Sequence, residues 1–117
     1  MRDTVKIDKR GVRLIAHRGL SGIEQENTCA AFIAAANRES YYGIETDVYR
    51  TSDGKYVLHH DDRVCTGAYI PETDFDTLRA VVMEDKDGRE RWDLRVPTLD
   101  EYVRICKNYG KVGVLEI

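Results

Sequence analysis

Apolar and polar positions along the chain change period several times, and each change marks an element. Arg13-Leu14-Ile15-Ala16 is a short apolar run that breaks at His17-Arg18-Gly19, the pattern of a buried strand ending in a turn. Ser21 to Glu26 is polar and reads as loop. Asn27 is suited to cap a helix from Thr28 to about Glu39, an alanine-rich stretch in which Phe32, Ala35 and Ala36 fall on one face. Gly43 opens a second strand, Ile44-Glu45-Thr46-Asp47-Val48-Tyr49. Asp53-Gly54 predicts a tight hairpin, with Tyr56-Val57-Leu58-His59 as the returning strand. From Gly67 to Arg95 the pattern is polar and irregular. It predicts a surface excursion with a short helix near Thr77 to Val82 and a charged, solvated loop from Glu84 to Arg91. Pro97-Thr98-Leu99-Asp100-Glu101 starts another helix, with Thr98 and Glu101 spaced as a capping box. Leu99, Tyr102, Val103 and Cys106 form its expected apolar face, and Gly110 stands past its end. Val112 to Ile117 is a third strand. Strands alternating with helices predict an α/β fold with parallel strands and helical crossovers.

Composition adds limits. With 117 residues, 42% hydrophobic and 33% charged, the chain has room for one modest domain. The formal net charge is −3 with the two signs interleaved, so no basic stripe argues for a nucleic-acid partner. Cys29, Cys65 and Cys106 are far apart and odd in number. That spacing predicts neither a zinc pair nor a disulfide framework, but reduced, buried or half-buried thiols. Met1-Arg2-Asp3-Thr4-Val5-Lys6 lacks the apolar core of a signal peptide, and no apolar run is long enough to span a membrane. The expected location is cytoplasmic.

Several polar residues fall where chemistry is done. Glu45 and Asp47 share one face of their strand, with Thr46 on the other. Such a pair also fits a solvent-facing strand, but Ile44 and Val48 favour a buried one. There, two carboxylates repel unless a cation lies between them. If Asp53 and Gly54 are the two central turn residues, Asp47 faces His60. A three-residue turn shifts the register by one and puts His59 or Asp61 opposite instead. By alternation His59 points to the other face, which predicts a structural role. His17 stands at the carboxyl end of the first strand, where parallel α/β folds bind ligands. Arg18 beside it suits bidentate phosphate contact, and Gly19 permits a tight turn. Glu116 near the end of the third strand would be a third carboxylate. Hard oxygen donors favour Mg²⁺ or Ca²⁺ over zinc.

Four segments together carry a resemblance: His17-Arg18-Gly19 followed by Gln25-Glu26-Asn27-Thr28; Glu45-Thr46-Asp47-Val48, Thr51-Ser52-Asp53-Gly54 and His60-Asp61; Pro97-Thr98-Leu99-Asp100-Glu101; and Val114-Leu115-Glu116-Ile117. In type and order they resemble the motifs of the glycerophosphodiester phosphodiesterases. The departures are Gln25 in place of proline, a shortened segment from Arg63 to Gly67, and no lysine two residues after Glu116. The resemblance implies a TIM-type (β/α)₈ barrel with its active site at the carboxyl ends of the strands. It implies His17 and His60 as general acid and base, Glu45, Asp47 and Glu116 as ligands of one divalent cation, and Arg18 as the phosphate holder. The implied reaction cleaves glycerophosphodiesters to glycerol 3-phosphate and an alcohol. A barrel of this type usually needs about 250 residues, so residues 1–117 are expected to be a single partial domain, the first three or so βα units, with a surface insertion at about 67–95. The competing reading is a catalytically silent fragment or assembly module that associates through its open sheet edge. A phospholipase D-like toxin is a third reading, against which the lack of a secretion signal and of a disulfide pattern weighs.

Overall fold

The first apolar run becomes β1, Leu14–His17, and pairs in parallel with β2, Tyr41–Arg50. Parallel neighbours need a crossover, supplied by helix α1, Cys29–Ala36. The protein is described here by a computed structural model covering residues 13–117. The segment Met1 to Lys6, read above for a signal peptide, lies outside the described residues. Helix α1 buries Ala31, Phe32, Ala35 and Ala36. Its cap is Thr28, whose hydroxyl accepts from the Ala31 amide at 3.2 Å, not Asn27 as the sequence suggests. Asn27 sits at φ 52°, and its side chain is turned to β2. The helix also ends at Ala36, short of Glu39, with Asn37 as its C-cap.

Strand β3, Tyr56–Leu58, returns antiparallel to β2 with Val48 opposite Leu58, Tyr49 opposite Val57 and Arg50 opposite Tyr56. This register overturns the two-residue turn. The loop has three residues, 52–54: the Thr51 amide donates to the Lys55 carbonyl at 2.8 Å, and Gly54 takes the left-handed position at φ 82°. Thr51 is the cause. Its hydroxyl donates to Asp53 Oδ1 at 2.5 Å and accepts from the Lys55 amide at 2.9 Å. The residue opposite Asp47 is therefore His59, whose amide donates to the Asp47 carbonyl at 3.2 Å.

Helix α3, Leu99–Asn108, has the expected capping box. Thr98 Oγ1 accepts from the Glu101 amide at 3.0 Å, and Glu101 Oε1 accepts from the Thr98 amide at 2.8 Å. Tyr102 and Cys106 are buried and Leu99 packs against the core as expected, but Val103 is 51% exposed and Ile105 takes its place. The helix leads to β4, Val112–Glu116, parallel to β2 on the side away from β1. The Tyr102 ring stands edge-on to Phe32, with centroids 5.1 Å apart. Its hydroxyl donates to the Ile44 carbonyl and accepts from the Val114 amide, so the phenol links β2 and β4. Gly113 makes the room: a Cβ there would lie 2.9 Å from the Tyr102 oxygen.

Two apolar clusters result. One joins the sheet to α1 and α3 through Phe32, Ile44, Leu58 and Tyr102; side chains of this kind contribute about 1.5–3 kcal/mol each when fully buried. The other holds Val57, Val64, Ile70, Leu78 and Val96. The stretch from Gly67 to Arg95 is thus more than a surface excursion. It includes a 3₁₀ turn, Ile70–Glu72, and a short helix α2, Phe75–Arg79, which lies two residues earlier than expected because Asp74 caps it. Glu84 to Glu90 forms the expected exposed turn. Among the described residues, no helix is long and apolar enough to cross a membrane.

Candidate active site

Side chains alternate along β2, so Glu45 and Asp47 leave it on one face. The parallel register sets Val114 beside Glu45 and Glu116 beside Asp47. Oxygens of Glu45, Asp47 and Glu116 consequently lie within 4.8 Å of one another. Glu45 is 9% exposed and Asp47 8%, while Glu116 is open to solvent. Burial, and after it the charge of Asp47, push the Glu45 carboxyl above its ordinary range. Three hard, anionic oxygens converging in one place fit a divalent cation.

From the end of β1, His17 brings Nε2 to 3.9 Å from Glu45 Oε1. Arg18 turns left-handed at φ 58°, which lets its amide donate to Glu45 Oε1 at 3.1 Å. Its guanidinium donates through one terminal nitrogen to both oxygens of Glu26, at 3.1 and 3.2 Å. Its Nε lies 3.8 Å from Asp47 Oδ2 and is buried without a hydrogen-bond acceptor. A buried donor left unpaired costs about 1–3 kcal/mol, a cost that the nearby Asp47 carboxylate offsets in part by charge.

His60 arrives by a different route from the one the hairpin pattern predicts. Strand β3 ends at Leu58, and strand alternation stops with it. The backbone register puts His59 opposite Asp47, yet His60 is the histidine that lines a cleft of about 160 Å³ with Asp47, Tyr49 and Glu116. His60 Nδ1 lies 3.1 Å from Asp61 Oδ1, and the Tyr49 hydroxyl donates to the His60 carbonyl at 3.1 Å. His60 also borders a larger cleft of about 580 Å³, lined by His59, Glu26, Arg63 and Met83 among others. Burial holds the His59 ring below the usual histidine range.

Two residues that sequence reasoning passed over belong to the cluster: Glu26, which anchors Arg18, and Asn27, which donates to Asp47 Oδ2 at 3.1 Å. Both lie in the Gln25-Glu26-Asn27-Thr28 segment, where Asn27 stands next to the residue that caps the helix.

Residues 17–114 match the Glycerophosphoryl diester phosphodiesterase family. The chain is 39% identical over 105 residues to glycerophosphodiester phosphodiesterase 1 of Mus musculus, covering 85% of this chain and 31% of the mouse protein. It is 37% identical over 108 residues to a glycerophosphodiester phosphodiesterase of Caldanaerobacter subterraneus, covering 89% of this chain and 44% of that protein. Among solved structures it is similar to an Oleispira antarctica phosphodiesterase in complex with the product sn-glycerol-3-phosphate. The TM-score is 0.73 and the identity 29%, over 88% of this chain and 43% of that one. The chain spans less than half the length of these relatives.

Proposed function

Because the chain belongs to the glycerophosphodiester phosphodiesterase family, we propose that it carries the active site of a metal-dependent phosphodiesterase built on a (β/α)₈ barrel. The reaction is hydrolysis of glycerophosphodiesters to glycerol 3-phosphate and an alcohol. The observation that carries this reading is the meeting of Glu45, Asp47 and Glu116 within 4.8 Å, with His17 and His60 beside them. These carboxylates would hold one Mg²⁺ or Ca²⁺, which when bound offsets phosphate charge and polarises a phosphoryl oxygen. Arg18, whose side chain is partly exposed beside the carboxylates, would hold the phosphate through its guanidinium. The two histidines serve as general acid and base, since an imidazole nitrogen can either take up or give a proton. Asp61, a carboxylate that only accepts, favours the proton on His60 Nδ1 and leaves Nε2 free for transfer.

A second reading, a catalytically silent polypeptide, rests on the exposure of every residue of β4, Glu116 included. A site open on that side holds its groups loosely, and small misplacement is costly. Hydrolysis of glycerophosphocholine by the purified chain, with and without Mg²⁺ or Ca²⁺, separates the two. Metal-dependent turnover that falls at least a hundredfold in His17→Ala supports the enzyme. Absence of turnover, with no rise in melting temperature on adding metal, favours the silent reading.

A further inference from the structure

We infer that Asn27 and Thr46 form a positioning device that orients the Asp47 carboxylate for a cation; the inference rests on the metal reading above. Asn27 is a polar side chain only 1% exposed, and Thr46 is fully buried. The Thr46 hydroxyl donates to Asn27 Oδ1 at 2.8 Å, and Asn27 Nδ2 donates to Asp47 Oδ2 at 3.1 Å. The order of donors matters. The Asp47 carboxylate only accepts, so the amide end that faces it is the NH₂, and the Thr46 hydroxyl then donates to the oxygen end and holds that orientation. One oxygen of Asp47 is thereby engaged, and the carboxylate loses the freedom to rotate. An oxygen of the same carboxylate lies within 4.8 Å of oxygens of Glu45 and Glu116.

The backbone around Asn27 points the same way. Asn27 holds a left-handed conformation at φ 52°, a cost asparagine bears better than most side chains. Its amide donates to the Arg18 carbonyl at 2.9 Å, joining it to the other left-handed residue of the site. Helix capping does not account for Asn27, because Thr28 performs it. The side chain fits a task at β2. Groups that orient a ligand by hydrogen bonding typically change metal affinity about 10–100-fold when removed.

The test uses Mn²⁺, another cation suited to carboxylate oxygens, titrated into the whole chain while the resonance of free Mn²⁺ is followed by electron paramagnetic resonance. Asn27→Gly removes the amide but tolerates the backbone angle, so strain does not confound the result. Thr46→Val removes only the hydroxyl, and Thr46→Ser restores it. The expected result is about tenfold weaker Mn²⁺ binding in Asn27→Gly and Thr46→Val, with Thr46→Ser near the native value. A merely structural Asn27 would lower the metal-free melting temperature and leave the affinity of the folded chain unchanged. Affinity within about twofold of native in the folded variants, set against the tenfold expected, overturns the inference alone. If Asn27→Gly does not fold, the Thr46 pair decides. A native chain that binds no Mn²⁺ overturns the metal reading and this inference with it.

Discussion

Burial sorts the three thiols. Cys106 is buried, Cys29 half-buried and Cys65 exposed, which corrects the expectation that all three are at least half covered. Burial pushes the Cys29 thiol up to about 11 and raises that of Cys106 as well. A thiol reagent at pH 8 should therefore modify one cysteine quickly and the other two only after denaturant is added. Cys65→Ser should abolish the fast phase; a fast phase that persists in that variant contradicts the assignment. The same scale shows what could be read from residues alone. Glu45 and Asp47 were legible as partners because strand alternation is a local rule, and Glu116 because it closes a short apolar strand. Asn27 was not, since a left-handed residue that spans to a strand about twenty positions away leaves no periodic trace.

At the scale of elements, local spacing was readable and long-range packing was not. The box at the start of α3 follows from two residues three apart. The hairpin register does not follow from Asp53-Gly54, because the side chain of Thr51 decides between a two- and a three-residue loop. The cluster of Val57, Val64, Ile70, Leu78 and Val96 leaves no sequence signal, because its members come from a strand, a 3₁₀ turn, a short helix and the loops between them and carry no common period. One element contact supports a prediction about acid stability. Arg79 grips both oxygens of Glu101, at 2.5 and 2.8 Å, and that bond, opposed by burial, holds the Glu101 carboxyl down to about 2. A lowered carboxyl contributes stability above its ordinary value of 4.5, and the contribution fades as pH falls from there through about 2. Both side chains are partly exposed, so solvent screening limits the pair to about 1 kcal/mol. Arg79→Met should lower urea stability by that much at pH 7, less at pH 3, and move the acid midpoint upward. An unchanged acid midpoint would count against the pair.

At the scale of the whole molecule, the described residues form a sheet in which β1 and β4 flank β2. Among the described residues, β1 and β4 each pair only with β2. Ile15, Val112, Val114 and Leu115 are exposed on those strands, Leu115 at 45%. Unpaired edges flanked by apolar side chains invite another strand. Sedimentation velocity on the chain should show larger species as concentration rises. Leu115→Lys, which puts a charge beside that edge, should shift the distribution toward monomer. A single monomeric species at every concentration would show that the edges do not associate. Such pairing would also cover β4, the one ligand-bearing strand that the described residues leave bare.

The phenol of Tyr102 gives the fold a gauge. Held between two backbones, it ties the strand of Glu45 to the strand of Glu116, so the proposed cation site is braced from the layer beneath it. Damage on the dry side of the sheet, such as Tyr102→Phe, should then weaken binding of Mn²⁺ at the proposed site as well as lower the melting temperature.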